Sequence, residues 1–358
     1  MEPHWAPRYA VAMSSETYRA VQVSATGQFE LVERDITPPP PGSVRIRVEA
    51  CGVCHSDLIT VLGLLDDITY PRVPGHEVIG KIDALGEGVE GTAWTLGQRV
   101  GVGYFAGPDF QCNACRRGDF VNCLHQKVTG VGIDGGYAEV MIASERALVA
   151  VPDGIASPEA APLVCAGVTV YTALRSSPAR SGDLVAIQGV GGLGHLAIQF
   201  ARAMGMRVAA IGRGAEKQDV ALRLGAHFYL DTQKVDAAEA LQALGGANLI
   251  LATAPSNKAA GQLAGGLAPR GTLVVLGVGG DGPLQLSAAN LVFGSRSISG
   301  SLTGTTIETE DTLAFSLQQG VRPIVEVVPL DQAPEAYARV MRGEARFRMV
   351  LVMPTLTQ

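Results

Sequence analysis

The chain has 358 residues, of which 47% are apolar and 17% charged, and its formal net charge is −6. This length favours two domains over a single core. The charges are spread without long runs, which argues against a nucleic-acid-binding or membrane surface. No apolar run approaches the roughly 18 residues that a membrane-spanning helix requires. Residues 1–15 lack the pattern of a signal peptide and predict a loose N-terminal extension, so we expect a cytoplasmic protein.

Short alternating runs, broken by glycine and proline, fill residues 18–151. Val44, Ile46 and Val48 alternate with charged residues, which is the period of a half-buried strand. Similar patterns predict strands over residues 29–34, 78–85 and 137–143. This half of the chain therefore predicts an irregular all-β domain with long loops.

An alternation of strands and helices begins after about residue 181. The apolar run 184–188 predicts a strand, and the helix predicted over 193–204 stops at Gly205, as helices often do at glycine. Further strands are predicted over residues 207–211, 228–230, 249–252, 272–276 and 297–301. Six strands joined by crossovers predict a doubly wound parallel sheet. The last fifty or so residues predict two amphipathic helices and strands over 324–328 and 347–352, which we expect to return to the first domain.

A glycine-rich motif follows the strand predicted over 184–188. It fits the dinucleotide-binding pattern G-x-G-x-x-G in the strand–helix context that makes this pattern informative. The first glycine permits a tight turn, the second lets the backbone approach a pyrophosphate, and the third allows close helix–strand packing. The helix N-terminus then offers amide donors to the phosphates. The candidate cofactor-binding residues here are Gly189, Gly191, Gly192, Leu193 and Gly194.

The end of the next strand predicts which nicotinamide cofactor is preferred. An acidic residue there would bind the ribose hydroxyls of NAD, but this chain has Gly212 and Arg213, with Lys217 close behind. The missing carboxylate favours NADP(H) over NAD(H), with Arg213 facing the 2′-phosphate. In the alternative interpretation, Arg213 is a solvated loop residue and both cofactors are accepted. Gly277 and Val278 are further candidate cofactor-binding residues.

The chain contains six cysteines, and their clustering in a chain without an export signal favours metal binding over disulfides. Cys54 begins a Cys-His-Ser-Asp segment, a Gly-His-Glu segment places His76 22 residues later, and Cys165 stands alone. One histidine and two cysteines are three good zinc ligands, which leave a fourth position for substrate or water.

These motifs resemble the zinc-containing alcohol dehydrogenases of the medium-chain dehydrogenase/reductase family, and the resemblance runs through nearly the whole chain from Tyr18. It implies a GroES-like β catalytic domain (16–163 and 304–358) and a Rossmann domain (164–303). The resemblance implies that Cys54, His76 and Cys165 hold a catalytic zinc, with Glu77 as a transient ligand. It implies that Asp57 orients His76 and that Ser56 bonds the substrate oxygen. It also implies three cofactor contacts: Thr169 with the nicotinamide, and His55 and Arg348 with the pyrophosphate.

The family also carries a structural zinc site of four cysteines. Cys112, Cys115 and Cys123 keep its spacing here, but Asp109 stands in the first position. A carboxylate can bind zinc, so we expect a second, structural zinc ion. The alternative is an empty loop that packing holds in place. Ile59 also departs from the family, where a histidine often ends a proton relay, so protons would leave through water or the cofactor ribose.

We therefore expect hydride transfer between NADP(H) or NAD(H) and a primary aliphatic or aromatic alcohol or aldehyde, with Tyr104, Leu64 and Leu65 as candidate pocket walls. The expected partners are this small-molecule substrate and further copies of the chain in a tetramer or dimer. The chain lacks room for the long loop of animal-type dimers in this family and resembles its compact microbial tetramers. The alternatives are a zinc-free NADPH-dependent quinone or enone reductase and a non-catalytic nucleotide-binding protein on the same fold. A polyol dehydrogenase is disfavoured by Cys165.

Overall fold

The structure is a computed structural model that describes residues 16–66 and 68–354. The predicted N-terminal extension, residues 1–15, lies outside the described residues. In chain order the strands are β1 (Thr17–Ala25), β2 (Gln28–Asp35), β3 (Ser43–Val53), β4 (Val78–Leu85), β5 (Arg99–Val102), β6 (Val140–Ser144), β7 (Leu148–Ala150), β8 (Leu184–Gln188), β9 (Arg207–Gly212), β10 (Phe228–Asp231), β11 (Ala247–Ala252), β12 (Leu267–Val275), β13 (Ser297–Gly300), β14 (Val325–Pro329) and β15 (Arg348–Val352).

The helices are mostly short and connect these strands. They are α1 (Leu58–Leu62), α2 (Asn113–Arg116), α3 (Ser157–Ala160), α4 (Ala166–Arg175), α5 (Gly194–Ala203), α6 (Gln218–Arg223), α7 (Ala237–Ala243), α8 (Asn257–Gln262), α9 (Ala288–Val292), α10 (Thr306–Gln319) and α11 (Ala333–Met341). Short 3-10 turns lie at His55–Asp57, Glu145–Ala147, Ala161–Val164, Leu263–Gly266 and Leu330–Gln332. Within the described part of the chain, no helix combines the length and apolarity needed to cross a bilayer.

The first sheet is mixed and is built around β3. Its strands follow the order β14-β15-β3-β4-β5-β7, and β6 also pairs with β3. The strands β1 and β2 form a separate antiparallel pair. The alternating residues Val44, Ile46 and Val48 are buried, as the period-two pattern predicts. This architecture agrees with the GroES-like β domain expected from the sequence.

The second sheet is parallel, with the order β10-β9-β8-β11-β12-β13. Its central strand β8 is buried along its whole length, because helices cover both faces of a doubly wound sheet. The order reverses between β8 and β11, and ligands bind at this kind of switch point in open α/β sheets. The predicted Rossmann sheet of six strands is confirmed.

The C-terminal strands β14 and β15 lie in the first sheet. They are parallel to each other, and β15 pairs antiparallel with β3, so that Met349 faces Val53. This pairing carries the start of β15 to the end of β3, which is the strand that precedes Cys54. The helix α10 packs on α4 of the second half of the chain. The last strands therefore help to bring the two halves together around one site.

The region predicted as a strand over 137–143 differs from the structure. The strand begins at Val140. Before it, the backbone N–H groups of Gly135, Gly136 and Tyr137 donate to the carbonyls of Val73, Gly75 and Pro74, and Ala138 forms only an isolated bridge with Ala20 of β1. This crossing of two loops buries Tyr137 completely. The strand β1 was not predicted from the sequence.

Candidate active site

Four potential metal ligands meet where the two halves of the chain join. Cys54 follows β3, His76 and Glu77 precede β4, and Cys165 immediately precedes α4. One ligand atom from each lies within 4.8 Å of the ligand atoms of the other three. The strands β3 and β4 are paired, which brings the first two segments together, and the loop before α4 supplies the remaining cysteine.

A chain of hydrogen bonds orients His76. Its Nδ1 lies 3.1 Å from Oδ1 of Asp57. The other oxygen, Oδ2, accepts from the backbone N–H of Cys54 at 2.9 Å and from the hydroxyl of Tyr137 at 2.8 Å. Sequence reasoning did not assign Tyr137, although its place in the Gly-Gly-Tyr segment after a loop was visible. The result is a buried His76 whose Nε2 has no hydrogen-bond partner, as expected of a nitrogen that binds a metal.

Electrostatics at this cluster favour a thiolate next to a protonated or metal-bound imidazole. A hydrogen bond from Cys165 holds the pKa of Cys54 well below its usual range, against the effect of burial. Burial by itself would lower the pKa of His76, but the charges of Asp57 and Cys54 outweigh burial and raise that pKa well above its usual range. Two sulfurs and one nitrogen form a donor set that suits zinc. The residues present therefore fit the metal.

Glu77, one of the four potential ligands, forms a buried ion pair with Arg348. Burial raises the pKa of Glu77 to about 7, although the charge of Arg348 opposes this rise. A Cβ atom at Gly52 would lie 1.9 Å from Oε2 of Glu77, so only glycine fits beside this carboxylate. The same Arg348 reaches the glycine-rich motif, where Nη1 would lie 2.9 Å from a Cβ at Gly192. Arg348 thus links the metal-ligand cluster to the expected pyrophosphate site.

The glycine-rich motif forms a tight turn between β8 and α5. Gly189 has a φ of +94°, and a Cβ at Gly194 would lie 1.8 Å from the Gly189 carbonyl oxygen, so both positions require glycine. A Cβ at Gly191 would meet nothing within 4 Å, which leaves open space where a ligand can approach the backbone. Leu193, also a candidate, is the residue before α5 and is half-buried. This geometry fits a dinucleotide.

His195 ties this turn to the C-terminal strands and was not assigned from the sequence. Its Nδ1 donates to the Gly191 carbonyl at 2.9 Å, and its Nε2 accepts from the N–H of Ile324 at 3.2 Å. The ring of Phe347 stacks on it with centroids 5.0 Å apart. His195 is fully buried, so the backbone of the turn is held by a neutral imidazole.

The end of β9 carries no acidic side chain, as expected from Gly212. Arg213 and Lys217 are exposed, and Lys217 is the residue before α6. Two residues of the neighbouring strand β10 contact this turn: Tyr229 and Asp231 both bond to Gly214. Sequence reasoning missed both, because the contact depends on sheet order. In the loop after β12, the N–H of Gly277 donates to the carbonyl of Ala252, whereas the side chain of Val278 is largely exposed.

The remaining candidate residues lie in or near the segments that carry the four potential ligands. His55 is exposed and Ser56 half-buried in the 3-10 turn after Cys54. Thr169 is buried in α4 and donates to the Leu302 carbonyl at 3.3 Å. The ring of Tyr104 meets His76 edge-on, with centroids 5.1 Å apart. Leu64 and Leu65 are about half exposed, at 55% and 48%.

A second cluster contains the carboxylate and three cysteines that were considered for a structural metal. Asp109, Cys112, Cys115 and Cys123 each offer a ligand atom, and these four atoms lie within 4.8 Å of one another. All three cysteines are free thiols. Hydrogen bonds from the backbone N–H groups of Cys112 and Gln111, and one from the side chain of His125, hold the pKa of Asp109 well below its usual range. The His125 Nδ1 lies 2.5 Å from Oδ2 of Asp109, a contact that sequence reasoning missed.

A GroES-like sheet, a Rossmann sheet and a Cys-His-Cys cluster between them define a zinc-binding dehydrogenase. Family models agree: residues 40–153 match the alcohol dehydrogenase GroES-like domain, and residues 192–318 match the zinc-binding dehydrogenase domain. The chain belongs to the zinc-containing alcohol dehydrogenases of the medium-chain dehydrogenase/reductase family and acts as an oxidoreductase on alcohols.

Individual relatives span almost the entire chain. The alcohol dehydrogenase patD of Penicillium expansum is 42% identical over 94% of this chain and 98% of its own. The NADP-dependent alcohol dehydrogenase C of Mycobacterium bovis is 37% identical over 89% of this chain and 93% of its own. The solved structure of the cinnamyl alcohol dehydrogenase SbCAD4 of Sorghum bicolor is 31% identical, with a TM-score of 0.84 over 94% of this chain and 98% of its own.

Proposed function

We propose that this alcohol dehydrogenase prefers NADP(H) and interconverts primary aliphatic or aromatic alcohols and their aldehydes at a zinc ion held by Cys54, His76 and Cys165. The observation that carries this proposal is the convergence of these three side chains and Glu77 within 4.8 Å, around a His76 nitrogen without a partner. A zinc-free quinone or enone reductase, or a non-catalytic binding protein, has no use for such a donor set.

Each residue of the proposed site has its own role in the reaction. When bound, zinc supplies Lewis-acid polarisation of the substrate oxygen. Asp57 keeps His76 in the tautomer whose Nε2 can bind the metal, and Glu77 stands behind as a transient ligand. Ser56 hydrogen-bonds the substrate oxygen and carries its proton. A bound nicotinamide would supply or accept the hydride of the reaction, and Thr169 would support its ring, while closure of the two domains keeps water out.

The route by which protons leave the site differs from the route in many relatives. Ile59 lies two residues beyond Asp57 and has no group that can accept a proton. Protons from Ser56 therefore leave through water or the cofactor ribose. This arrangement hinders alcohol oxidation more than aldehyde reduction, so we propose reduction as the faster direction.

The NADP(H) preference is supported by the turn after β9. With Gly212 in the position of the usual carboxylate, no negative charge at this residue repels a 2′-phosphate, and the exposed Arg213 and Lys217 are available to bind it. The similarity to an NADP-dependent alcohol dehydrogenase from Mycobacterium bovis agrees with this assignment. Gly277, Val278, His55 and Arg348 remain proposed cofactor contacts.

The apolar substrate class is supported by the surroundings of Tyr104. Its ring meets His76 edge-on, and the ring of Phe105 packs on it with centroids 5.1 Å apart. Aromatic walls bind planar apolar groups better than polyols. The similarity to a cinnamyl alcohol dehydrogenase agrees with an aromatic substrate.

We also propose a structural zinc ion at Asp109, Cys112, Cys115 and Cys123, since three sulfurs and a carboxylate oxygen fit its tetrahedral geometry. A cytoplasmic location, a homotetramer or homodimer, and the domain boundaries at residues 163/164 and 303/304 stay predictions.

The experiment that tests this function follows NADPH oxidation with benzaldehyde, before and after removal of metal by a strong chelator. Turnover should vanish on removal and return with added zinc. Activity that survives complete zinc removal would refute the assignment of Cys54, His76 and Cys165 and favour the zinc-free reductase. Faster turnover with NADH than with NADPH would overturn the cofactor preference alone.

A further inference from the structure

The space next to Gly212 is filled by a tyrosine from the adjacent strand. A Cβ atom at Gly212 would lie 2.3 Å from the hydroxyl oxygen of Tyr229 and 2.9 and 3.1 Å from two of its ring carbons, Cζ and Cε2. Real Cβ atoms essentially never approach other atoms as closely as the hydroxyl oxygen and Cζ would lie here, and the contact to Cε2 is also tight. Any side chain at residue 212 would therefore have to displace the whole aromatic ring.

The tyrosine ring is not free to move away. Its hydroxyl donates a hydrogen bond to the carbonyl of Gly214 at 2.7 Å, and the ring packs against the core of the Rossmann sheet. In the parallel pairing of β10 with β9, Tyr229 is paired with Ala210 and Asp231 with Gly212. The position of Tyr229 beside the end of β9 is thus set by the register of the sheet.

Asp231, two residues farther along β10, also bonds to Gly214. Its Oδ1 accepts from the N–H of Gly214 at 2.8 Å, and from the N–H of Gln233 at 3.0 Å. Both polar backbone groups of Gly214 are therefore bonded to residues of β10, in a conformation with a φ of +82° that favours glycine. These bonds fix the turn from Gly212 to Gly214 and leave Arg213 exposed.

We propose that Tyr229 is a specificity-determining residue for the cofactor: its ring excludes an acidic side chain from residue 212 and holds the turn in the form that accepts a 2′-phosphate. This inference rests on the proposed NADP(H) preference. It means that the preference is encoded by two strands together, so that replacing Gly212 alone cannot convert the enzyme to NAD(H).

The test compares four proteins that carry Gly212 or Gly212→Asp, each with Tyr229 or Tyr229→Ala. Two readouts are measured for NADPH and NADH: the Kd of the binary complex from cofactor fluorescence, and kcat/KM with benzaldehyde. We expect Gly212→Asp to weaken NADPH by about tenfold or more, because its carboxylate repels the 2′-phosphate, and not to improve NADH, because the displaced ring distorts the turn. The double variant should gain about tenfold in NADH kcat/KM over Gly212→Asp, because its carboxylate can then reach the ribose hydroxyls.

A third background, Tyr229→Phe, separates the ring from the hydroxyl. Phenylalanine keeps the ring atom Cζ of residue 229, which would still lie 2.9 Å from the Cβ of an aspartate at residue 212. Gly212→Asp combined with Tyr229→Phe should therefore gain less NADH activity than the combination with Tyr229→Ala. Thermal unfolding and gel filtration of each variant check that it is folded, and Kd values are compared only among folded proteins. If Gly212→Asp with Tyr229→Ala proves unfolded, Tyr229→Val, which also removes the ring but suits a strand, replaces alanine in the same comparison.

The outcomes separate the two proposals. The NADPH to NADH ratio of the unaltered enzyme tests the cofactor preference by itself. The comparison of Gly212→Asp with its double variants tests Tyr229, whatever that ratio is. If Gly212→Asp alone binds NADH as tightly as the double variant does, the role of Tyr229 is overturned.

Discussion

The hydroxyl of Tyr137 donates a 2.8 Å hydrogen bond to Oδ2 of Asp57, and the other oxygen of this carboxylate lies 3.1 Å from Nδ1 of His76. All three side chains are buried. The ring of Tyr137 packs against Gly75 in the loop before β4, and its hydroxyl bonds to the carboxylate that orients His76. Tyr137 is therefore placed to position His76, the proposed metal ligand, through Asp57.

Replacing Tyr137 by phenylalanine should weaken metal binding while the fold persists. The ring still fills its place, but Asp57 loses one of its donors and His76 becomes less firmly oriented. Changes of this kind cost roughly 10- to 100-fold in metal affinity. The measurement is the rate of zinc loss to a chelator, supported by the visible spectrum of the cobalt-substituted enzyme.

Tyr70→Phe is the matched control for this variant, because the hydroxyl of Tyr70 donates to a backbone carbonyl, that of Thr60, away from the metal-ligand cluster. Equal rates of zinc loss from Tyr137→Phe and Tyr70→Phe would show that the bond to Asp57 does not support the metal.

Gly52→Ala should disrupt the buried Glu77–Arg348 pair, since the new Cβ would lie 1.9 Å from Oε2 of Glu77. Overpacking and the separation of a buried ion pair together predict a loss of about 2 kcal/mol or more in the free energy of unfolding. Denaturant titration measures this loss. At Gly280 a Cβ would meet nothing within 4 Å, so Gly280→Ala is the control. Equal stability of both variants would contradict the tight fit at Gly52.

Stability should fall on mild acidification because of His195. Burial lowers the pKa of His195 to about 4, and the nearby charge of Arg348 adds to this shift. In the unfolded chain a histidine has a pKa near 6.5, so the unfolded state binds more protons as pH falls from about 6.5 towards 4. The stabilisation is complete above pH of about 7, and about 2 kcal/mol of it is lost by pH of about 5.

The measurement is the free energy of unfolding at these two pH values for the unaltered protein and for His195→Asn. The asparagine variant removes the titrating group, and every other group titrates in both proteins. Its loss between the two pH values should therefore be smaller by about 2 kcal/mol. An identical pH dependence of the two proteins would show that His195 does not titrate as described.

The second metal site predicts two zinc ions per chain. Asp109→Ala should reduce the metal content to one, because three thiols without the carboxylate hold the ion weakly, and Asp109→Cys should restore two. Metal analysis of the purified proteins measures this directly. Asp119→Ala removes an exposed carboxylate of the same loop and is the control. A content of one zinc ion in the unaltered protein would refute the site.

Most of the fold could be predicted because its signals are local. Strand and helix periods repeat within a few residues, and the Gly189–Gly194 motif lies between its own strand and helix. The strand predicted to begin at Tyr137 begins at Val140 instead, and residues 135–137 bond to the loop at residues 73–75. Local patterns cannot report competition from a segment more than sixty residues away.

By itself, the sequence determined the donor types, the cysteine and histidine motifs, the nucleotide-binding turn and the absence of a carboxylate at residue 212. Each is a property of residue identity and short spacing, which chain chemistry dictates without reference to the rest of the molecule. Only the tertiary structure decided that Tyr137 supports Asp57, that Arg348 joins Glu77 to the glycine-rich turn, and that Tyr229 occupies the space beside Gly212. These contacts join separate segments of the chain, and they arise from sheet order, register and packing, which no single segment carries.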